Sequence, residues 1–198
     1  MTYKAFPYIL GFTYGDGNLS ATSNLVRLYD ENHDFADTTL RQRFTKSFGT
    51  EPHLSFDKSN NSWVLHKTSK EVWSKLHAAG VPAGRKARII VVPQVIKEAN
   101  VTDKSEFVSG VGDAEANPTS FIELDRHPTG YDYFQLKMYS PKFIDGLAEL
   151  LRDVSGKFNP KVYHYDYGSV LRPNGREQME LVWSHLHLMH PRFNPPAR

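Results

Sequence analysis

Two acids, Asp16 and Glu115, stand at matching places in two similar stretches, 99 positions apart (115 less 16) in a chain of 198 residues. Each follows an apolar run rich in small residues, Phe6 to Gly15 (FPYILGFTYG) and Ser105 to Ala114 (SEFVSGVGDA). In both runs small residues recur four apart, as Gly11 with Gly15 and Gly110 with Ala114. That spacing lines one face of a helix and lets two backbones approach closely. Packed in parallel about a twofold axis, the helices would set the acids side by side at two negative dipole ends, where they repel each other. Such a place calls for positive charge. Paired carboxylates suit Mg²⁺, with Mn²⁺ as a substitute, and such an ion can activate water and stabilise the leaving oxygen of a phosphodiester. Taken alone, Asp16 before Gly17 reads as an ordinary turn residue; the repetition makes the pair a site.

The elements around the acids repeat as well. In the first half, a strand is expected at Asn24 to Tyr29 and a helix from Asp34 to Phe48, closed by Gly49. A hairpin follows, Pro52 to Asp57 and Ser62 to Lys67 about the turn residues Lys58-Ser59-Asn60-Asn61, then a helix from Lys70 to Ala79 capped by Ser69. The second half offers strands near Ser120 to Leu124 and Tyr133 to Tyr139, a helix from Pro141 to Val154, a strand run from Lys161 to Tyr167 and a last helix from Glu177 to Met189. Both halves thus read helix, two strands, helix, two strands, helix, the mark of a duplicated unit. The division expected is residues 1–80 for the first repeat, 81–102 for a structured linker and 103–198 for the second repeat.

Composition bounds the rest. Hydrophobic residues at 39% and charged residues at 23% describe a folded globular chain. No run approaches the roughly 20 apolar residues of a membrane span, and the start lacks a signal-peptide layout, so a cytoplasmic location is expected. With no cysteine, thiolate nucleophiles and cysteine-bound zinc are excluded. Net charge is only +2, but from Leu40 to Ile90 Arg41, Arg43, Lys46, Lys58, Lys67, Lys70, Lys75, Arg85, Lys86 and Arg88 face only Glu51, Asp57 and Glu71.

Ile9 to Gly17 (ILGFTYGDG) and Val108 to Ala116 (VSGVGDAEA) resemble two copies of the LAGLIDADG motif. Gly80 to Lys86 (GVPAGRK) and Val92-Pro93 are similar to the connection before the second motif in archaeal members. Nearly the whole chain therefore resembles the LAGLIDADG homing endonucleases of the single-chain, two-motif, intron-encoded type. The start at Met1 and the lack of flanking splicing-domain sequence favour a free-standing, intron-encoded protein. The resemblance implies an α/β (α+β) fold of two pseudo-symmetric αββαββα repeats, whose antiparallel sheets form a saddle over double-stranded DNA. It implies a monomer that cuts both strands of a long asymmetric target across the minor groove with a divalent metal. On it, the catalytic acids are Asp16 and Glu115, and the metal ligands are these two with Gly15 and Ala114. Ala116 departs from the closing glycine of the motif, and Asp30, Glu31 and Pro118 occupy places where a basic or amide residue accompanies each metal. Arg27 and Lys137 are candidate substitutes. This departure bears on cleavage more than on DNA binding, and keeps open an RNA-splicing maturase or a non-cleaving DNA-binding protein on the same fold.

Strand alternation then assigns faces. Phe134, Leu136 and Met138 should face the helices, and Gln135, Lys137 and Tyr139 the nucleic acid. By the same rule His53, Ser55 and Asp57 oppose Leu54 and Phe56, and Lys161, Tyr163, Tyr165 and Tyr167 oppose Val162. With Arg27, Tyr29, Lys67, Arg85 and Lys86, the outward His53, Ser55, Gln135, Lys137, Tyr139, Tyr163 and Tyr165 form the expected DNA-contacting set, a mix suited to phosphates and base edges. His185, His187 and His190 would lie on different faces of a helix, as structural histidines do. No Walker loop, nucleotide-binding glycine fingerprint or HExxH sequence is present.

Overall fold

The computed structural model describes residues 5–119 and 133–193. The first repeat runs α1 (Ala5–Asp16), β1 (Gly17–Leu19), β2 (Leu25–Asp30), a π-helical turn Phe35–Leu40 continuing into α2 (Arg41–Phe48), β3 (His53–Asp57), β4 (Ser62–Thr68) and α3 (Lys70–Ala78). A connection with the short α4 (Gln94–Lys97) leads to the second repeat: α5 (Val101–Glu115), β5 (Ala116–Thr119), β6 (Tyr133–Met138), α6 (Pro141–Val154), β7 (Lys161–Tyr165), β8 (Gly168–Arg172) and α7 (Arg176–His185). Each half is αββαββα. Each builds one antiparallel sheet of four strands, in the orders β1-β2-β4-β3 and β5-β6-β8-β7.

Local chemistry sets the helix starts. The side chains of Ser69, Asn100 and Ser140 accept the N–H groups of Val72, Asp103 and Phe143, capping α3, α5 and α6. α1 has no polar face and is buried from Pro7 to Gly15, so it can sit only in the core. α5 is buried from Ser105 to Ala114 and lies directly against it. A Cβ on Gly11 would come within 2.0 Å of the Phe107 carbonyl oxygen, and one on Gly110 within 2.0 Å of the Tyr8 carbonyl oxygen. These two reciprocal contacts mark a twofold relation, and with Gly15 against Ala114 they fix the helices as parallel.

Between the repeats the chain is packed rather than loose. Val81, Ile90, Val92 and Ile96 are buried, Gly84 N–H donates to the Leu19 carbonyl at 2.8 Å, and the Ser140 hydroxyl donates to the Ile90 carbonyl at 2.6 Å. No helix among the described residues is long and apolar enough to cross a membrane.

Several sequence expectations are corrected. The run Lys161 to Tyr167 is not one strand: it stops at Tyr165, turns through Asp166-Tyr167 and returns from Gly168 (φ +137°), with Tyr165 paired to Gly168. The last helix ends at His185, not Met189, and the chain continues as an extended strap along α5. Phe56 does lie on the face opposite Ser55, as expected, but it is 44% exposed because β3 is an edge strand, and its ring leans on Trp63 at 5.1 Å. The strand expected near Ser120 to Leu124 lies outside the described residues; β5 begins directly after Glu115 instead.

Because the α1–α5 contact leaves no space for a methyl group, Gly110→Ala should destabilise the fold by about 3 kcal/mol or more, the upper range of overpacking costs. At roughly 2–4 °C per kcal/mol for a chain of this size, thermal melting should fall by about 6–12 °C. An unchanged melting temperature would contradict the backbone contact.

Candidate metal and nucleic-acid site

Parallel packing brings the last residues of α1 and α5 together. A Cβ on Gly15 would lie 2.5 Å from Ala114 Cβ and 2.9 Å from Glu115 Cγ, so the next residue of α1, Asp16, comes beside Glu115. Both acids are half-buried, and among the described residues neither carboxylate accepts a hydrogen bond. Burial first, then the charge of Glu115, push the Asp16 carboxyl up to about 7. Burial also raises Glu115, while Lys86 and Arg192 pull both acids back down.

Those two cations answer the helix ends. Lys86 Nζ donates to the carbonyls of Thr13, Tyr14 and Gly15 at 2.5, 2.7 and 2.5 Å, closing the last turn of α1. Burial pushes its ammonium down to about 8, against the pull of Asp16 and Glu115, so it remains mostly charged at neutral pH. At α5 the same place is taken by Arg192, whose Nη2 donates to the carbonyl of Asp113 and, at 3.3 Å, to that of Ala114. Lys86 was expected among outward DNA contacts; it is turned inward instead. Arg192 was not singled out from the sequence, although the duplication held a signal: a cation following α3 calls for a counterpart following α7.

Parallel devices deliver the two cations. Tyr14 hydroxyl donates to the Gly80 carbonyl at 2.7 Å, holding the segment that carries Lys86. Asp113, which is 99 positions after Tyr14 (113 less 14), is buried and accepts the N–H groups of Met189 at 2.9 Å and His190 at 3.1 Å, holding the strap that carries Arg192. Tyr8 hydroxyl donates to the same carboxylate at 2.6 Å. Farther back on the strap, Ser109 Oγ accepts the His187 N–H at 2.9 Å, and His187 Nδ1 lies 2.7 Å from Glu106 Oε1. Glu106 also binds Arg43 at 2.6 Å, and His190 Nε2 lies 3.3 Å from Asp30 of the first repeat. His187 and His190 thus have separate structural partners on the strap, while His185 ends α7.

An open cleft of about 490 Å³ lies beside the acids, lined by Asp16, Tyr29, Asp30, Ala114, His190 and Arg192 among others. Among the described residues no three His, Asp or Glu side chains converge on a metal. The donor set is therefore two carboxylates without hydrogen-bond donors plus the carbonyls of Gly15 and Ala114, all hard oxygens, and it fits a dication such as Mg²⁺. Each carbonyl already accepts from a cation, but a carbonyl oxygen has two lone pairs and can serve both.

On the first sheet Arg27, Tyr29, His53 and Ser55 share the face away from the helices, as the pairings of Arg27 with His66 and His53 with His66 require. His66 belongs to this set and was not picked out from the sequence. Lys67 is corrected: it pairs with buried Val26, so it points to the helix side, where Nζ donates to the Glu51 carbonyl at 3.0 Å. Arg85 is exposed on the connection. On the second sheet Phe134, Leu136 and Met138 are buried, while Lys137, Tyr139, Tyr163 and Tyr165 are exposed and Gln135 is half-buried.

No protein-family model matches this chain, and neither does any curated protein sequence. Solved structures do. A crystal structure of I-DmoI in complex with DNA and Mn superposes with a TM-score of 0.67 at 13% identity, covering 93% of this chain and 97% of that one. The homing endonuclease I-WcaI bound to its DNA recognition sequence gives 0.63 at 11%, covering 96% and 85%. The N-terminal LAGLIDADG domain of DUF199/WhiA gives 0.62 at 10%, covering 95% and 83%. The chain has the LAGLIDADG homing-endonuclease fold, and that fold is shared by nucleases and by WhiA.

Two outcomes follow for stability in metal-free buffer. Below about pH 4 the Asp16 carboxyl is protonated in folded and unfolded chains alike, and it costs nothing. Between its ordinary value of 3.8 and about 7 only the unfolded chain ionises, so the cost to the fold grows as pH rises and is complete above about 7. Asp16→Asn should therefore raise the melting temperature by several degrees at pH 8 and by almost nothing at pH 4; an equal gain at both would exclude the charge as its cause. Lys86→Met leaves three helix-end carbonyls and two acids without their buried cation, and should cost about 3–5 kcal/mol in urea denaturation at neutral pH.

Proposed function

We propose that this chain is a LAGLIDADG homing endonuclease, monomeric and cytoplasmic, that hydrolyses both strands of a long asymmetric DNA site across the minor groove with Mg²⁺. The observation that carries this reading is the pairing of Asp16 with Glu115 at adjoining helix ends, with no hydrogen bond from any described residue satisfying either carboxylate. Three neighbours of the same fold support it: structures of I-DmoI hold DNA with Mn or Ca, and I-WcaI is bound to its recognition sequence. Intron-encoded mobility belongs to the same reading.

In this reading the two sheets receive the duplex. Arg27, His53, Ser55 and His66 on the first face, and Gln135 and Lys137 on the second, read base edges and phosphates. Asp16 and Glu115, with the carbonyls of Gly15 and Ala114, hold the divalent ion. When bound, it supplies an acidified water and neutralises charge on the leaving oxygen. Arg192, on the cleft wall beside Asp16, offers its guanidinium to a phosphate oxygen while its Nη2 keeps the α5 end closed. Lys86 holds the α1 end, and its charge opposes the rise that burial imposes on both acids. Tyr14 and Asp113 act only on these two, by anchoring the segments that carry them.

A second reading is a protein on this fold that binds DNA without cutting, or serves as an RNA-splicing maturase. The observation in its favour is that Lys86 and Arg192 already occupy the carbonyls next to both acids. The two readings separate in one experiment. Duplexes are selected from a random-sequence pool by binding in EDTA, cloned into a plasmid and incubated with the protein in Mg²⁺. The wild type should linearise the plasmid, and Asp16→Asn and Glu115→Gln should each slow cutting by at least about 100-fold, the usual scale for loss of a group that acts on the reacting atoms. Tight binding with no cut in Mg²⁺ or Mn²⁺ establishes the second reading. Undiminished cutting by either variant overturns the site.

A further inference from the structure

We propose that the row Asn18, Arg27, His66 and His53 across the first sheet seats a phosphate of duplex DNA and takes up one proton at His66 as it does so. The first half of the protein then grips DNA more tightly as pH falls. This deepens the duplex-binding reading above and rests on it, but not on cleavage.

The register builds the row. Asn18 pairs with Arg27, Arg27 with His66 and His66 with His53, so one residue from each of β1, β2, β4 and β3 stands in line on the face away from the helices. Residues directly opposite in antiparallel strands have Cβ atoms about 4.5–5.5 Å apart. The His66 and His53 rings are 5.8 Å apart between centroids. Asn18 Nδ2 donates to the Gly84 carbonyl at 3.4 Å, which brings the connection, with Arg85 next in sequence, to the β1 end of the row. An open hollow of about 640 Å³ adjoins it, lined by Arg27, Tyr29, Ser55, Val64 and His66 among others.

Cations and histidines crowd one another here. His66 meets Arg27 from β2 and His53 from β3, with Tyr29 and Asp57 farther along the same two strands. The helices lie behind the sheet, where Val26, Leu28 and Leu65 are buried. Asp57 is turned to its own hairpin, accepting from Ser59 N–H at 2.9 Å, Ser59 Oγ at 2.6 Å and Asn60 Nδ2 at 2.8 Å. Burial first, then the nearness of His53 and Arg27, push the His66 imidazole below its ordinary value of 6.5. Without DNA it is therefore mostly uncharged at neutral pH.

A phosphate reverses that balance. Its negative charge favours the protonated ring. A protonated imidazole and the Arg27 guanidinium offer donors only, the match of an oxygen that only accepts. The proton comes from solvent, onto the ring nitrogen that is bare in the neutral imidazole. At low pH the ring is charged before DNA arrives, and at high pH it is charged in neither state. Between the titration points of the free and bound forms each binding event takes up a proton, so affinity climbs as pH falls.

The test is fluorescence anisotropy in EDTA with one labelled duplex of fixed sequence at pH 6 and pH 8, for the wild type and His66→Gln, whose amide stays neutral at both. Asp16 also gains a proton over this range, so the quantity read is the difference between the two proteins, which share Asp16. At pH 8 they should bind within about twofold of each other, and at pH 6 the wild type should bind about tenfold tighter, the worth of one pH unit in the proton affinity of the ring. From pH 8 to pH 6 the slope of log affinity against log salt should steepen by about one more in the wild type than in the variant, as one further neutralised phosphate requires. Imidazole NMR should show His66 titrating at higher pH with duplex than without. Melting curves at both pH values confirm folding. An equal loss in the variant at both pH values, equal binding by the two proteins at pH 6, or an unmoved His66 titration overturns the proposal and leaves duplex binding in place. A wild-type advantage at pH 6 without the steeper salt slope overturns the assignment to phosphate. A wild type that binds no duplex at either pH overturns the duplex-binding reading as well.

Discussion

Between Gly11 and the Phe107 carbonyl, and between Gly110 and the Tyr8 carbonyl, two peptide backbones touch with nothing interposed. A helix interior glycine costs roughly 1 kcal/mol against alanine, so the chain gives up intrinsic helix stability at two places to make this contact. What it gains is position. Helices joined through side chains lie about 8–10 Å apart, and direct backbone contact draws these two closer than that. Here the reciprocal contacts tie each helix to the other in a single register, and that register sets Asp16 beside Glu115. The sheets, the caps and the connections all hang from this pair of helices.

The same register creates an electrostatic problem. Two helix C-termini and two carboxylates are gathered in one half-buried place, and every contribution is negative. A fold of this design requires cations at that spot whatever ligand arrives later. Lys86 and Arg192 meet the requirement from outside the helices, on segments that run back along α1 and α5 after the third helix of each repeat. Their anchors, Tyr14 and Asp113, occupy equivalent positions but use opposite hydrogen-bond roles, one donating to a carbonyl and the other accepting from N–H groups. Duplication conserved the device while its chemistry diverged.

What the sequence made legible was whatever local pattern determines. The two apolar helices, their small-residue faces and the cap Ser69 depend on residues near one another in the chain, and the 99-residue repeat places Asp16 with Glu115. The missed features depend on distant partners. Arg192 looks like a tail residue until Asp113 is seen to hold the strap, 76 positions from Met189. Lys86 has the composition of a surface lysine, and only the α1 carbonyls give it a buried role. Lys67 faces the helices because of its register against Val26, which strand alternation within β4 alone does not fix. The hairpin at Asp166-Tyr167 was hidden because its turn keeps the aromatic alternation of the strand running through it.

A twofold scaffold does not leave two equal sites. Lys86 directs a compact ammonium at three carbonyls, a geometry that uses all its donors and seals the end of α1. Arg192 has five N–H donors in a planar fork, and Nη2 alone reaches the end of α5, so the rest of the guanidinium stays turned to the cleft. The cleft accordingly contains Asp16 and Arg192 on its wall but neither Glu115 nor Lys86 among its lining residues. One acid is presented with a cation that can also bind a ligand, the other with a cation fully spent on structure. The asymmetry extends outward to the sheets, where one face presents Arg and His and the other exposed tyrosines. Two copies of one unit have thus kept the helix contact that neither can lose, and differ where contact with a partner, rather than with each other, decides which residues remain.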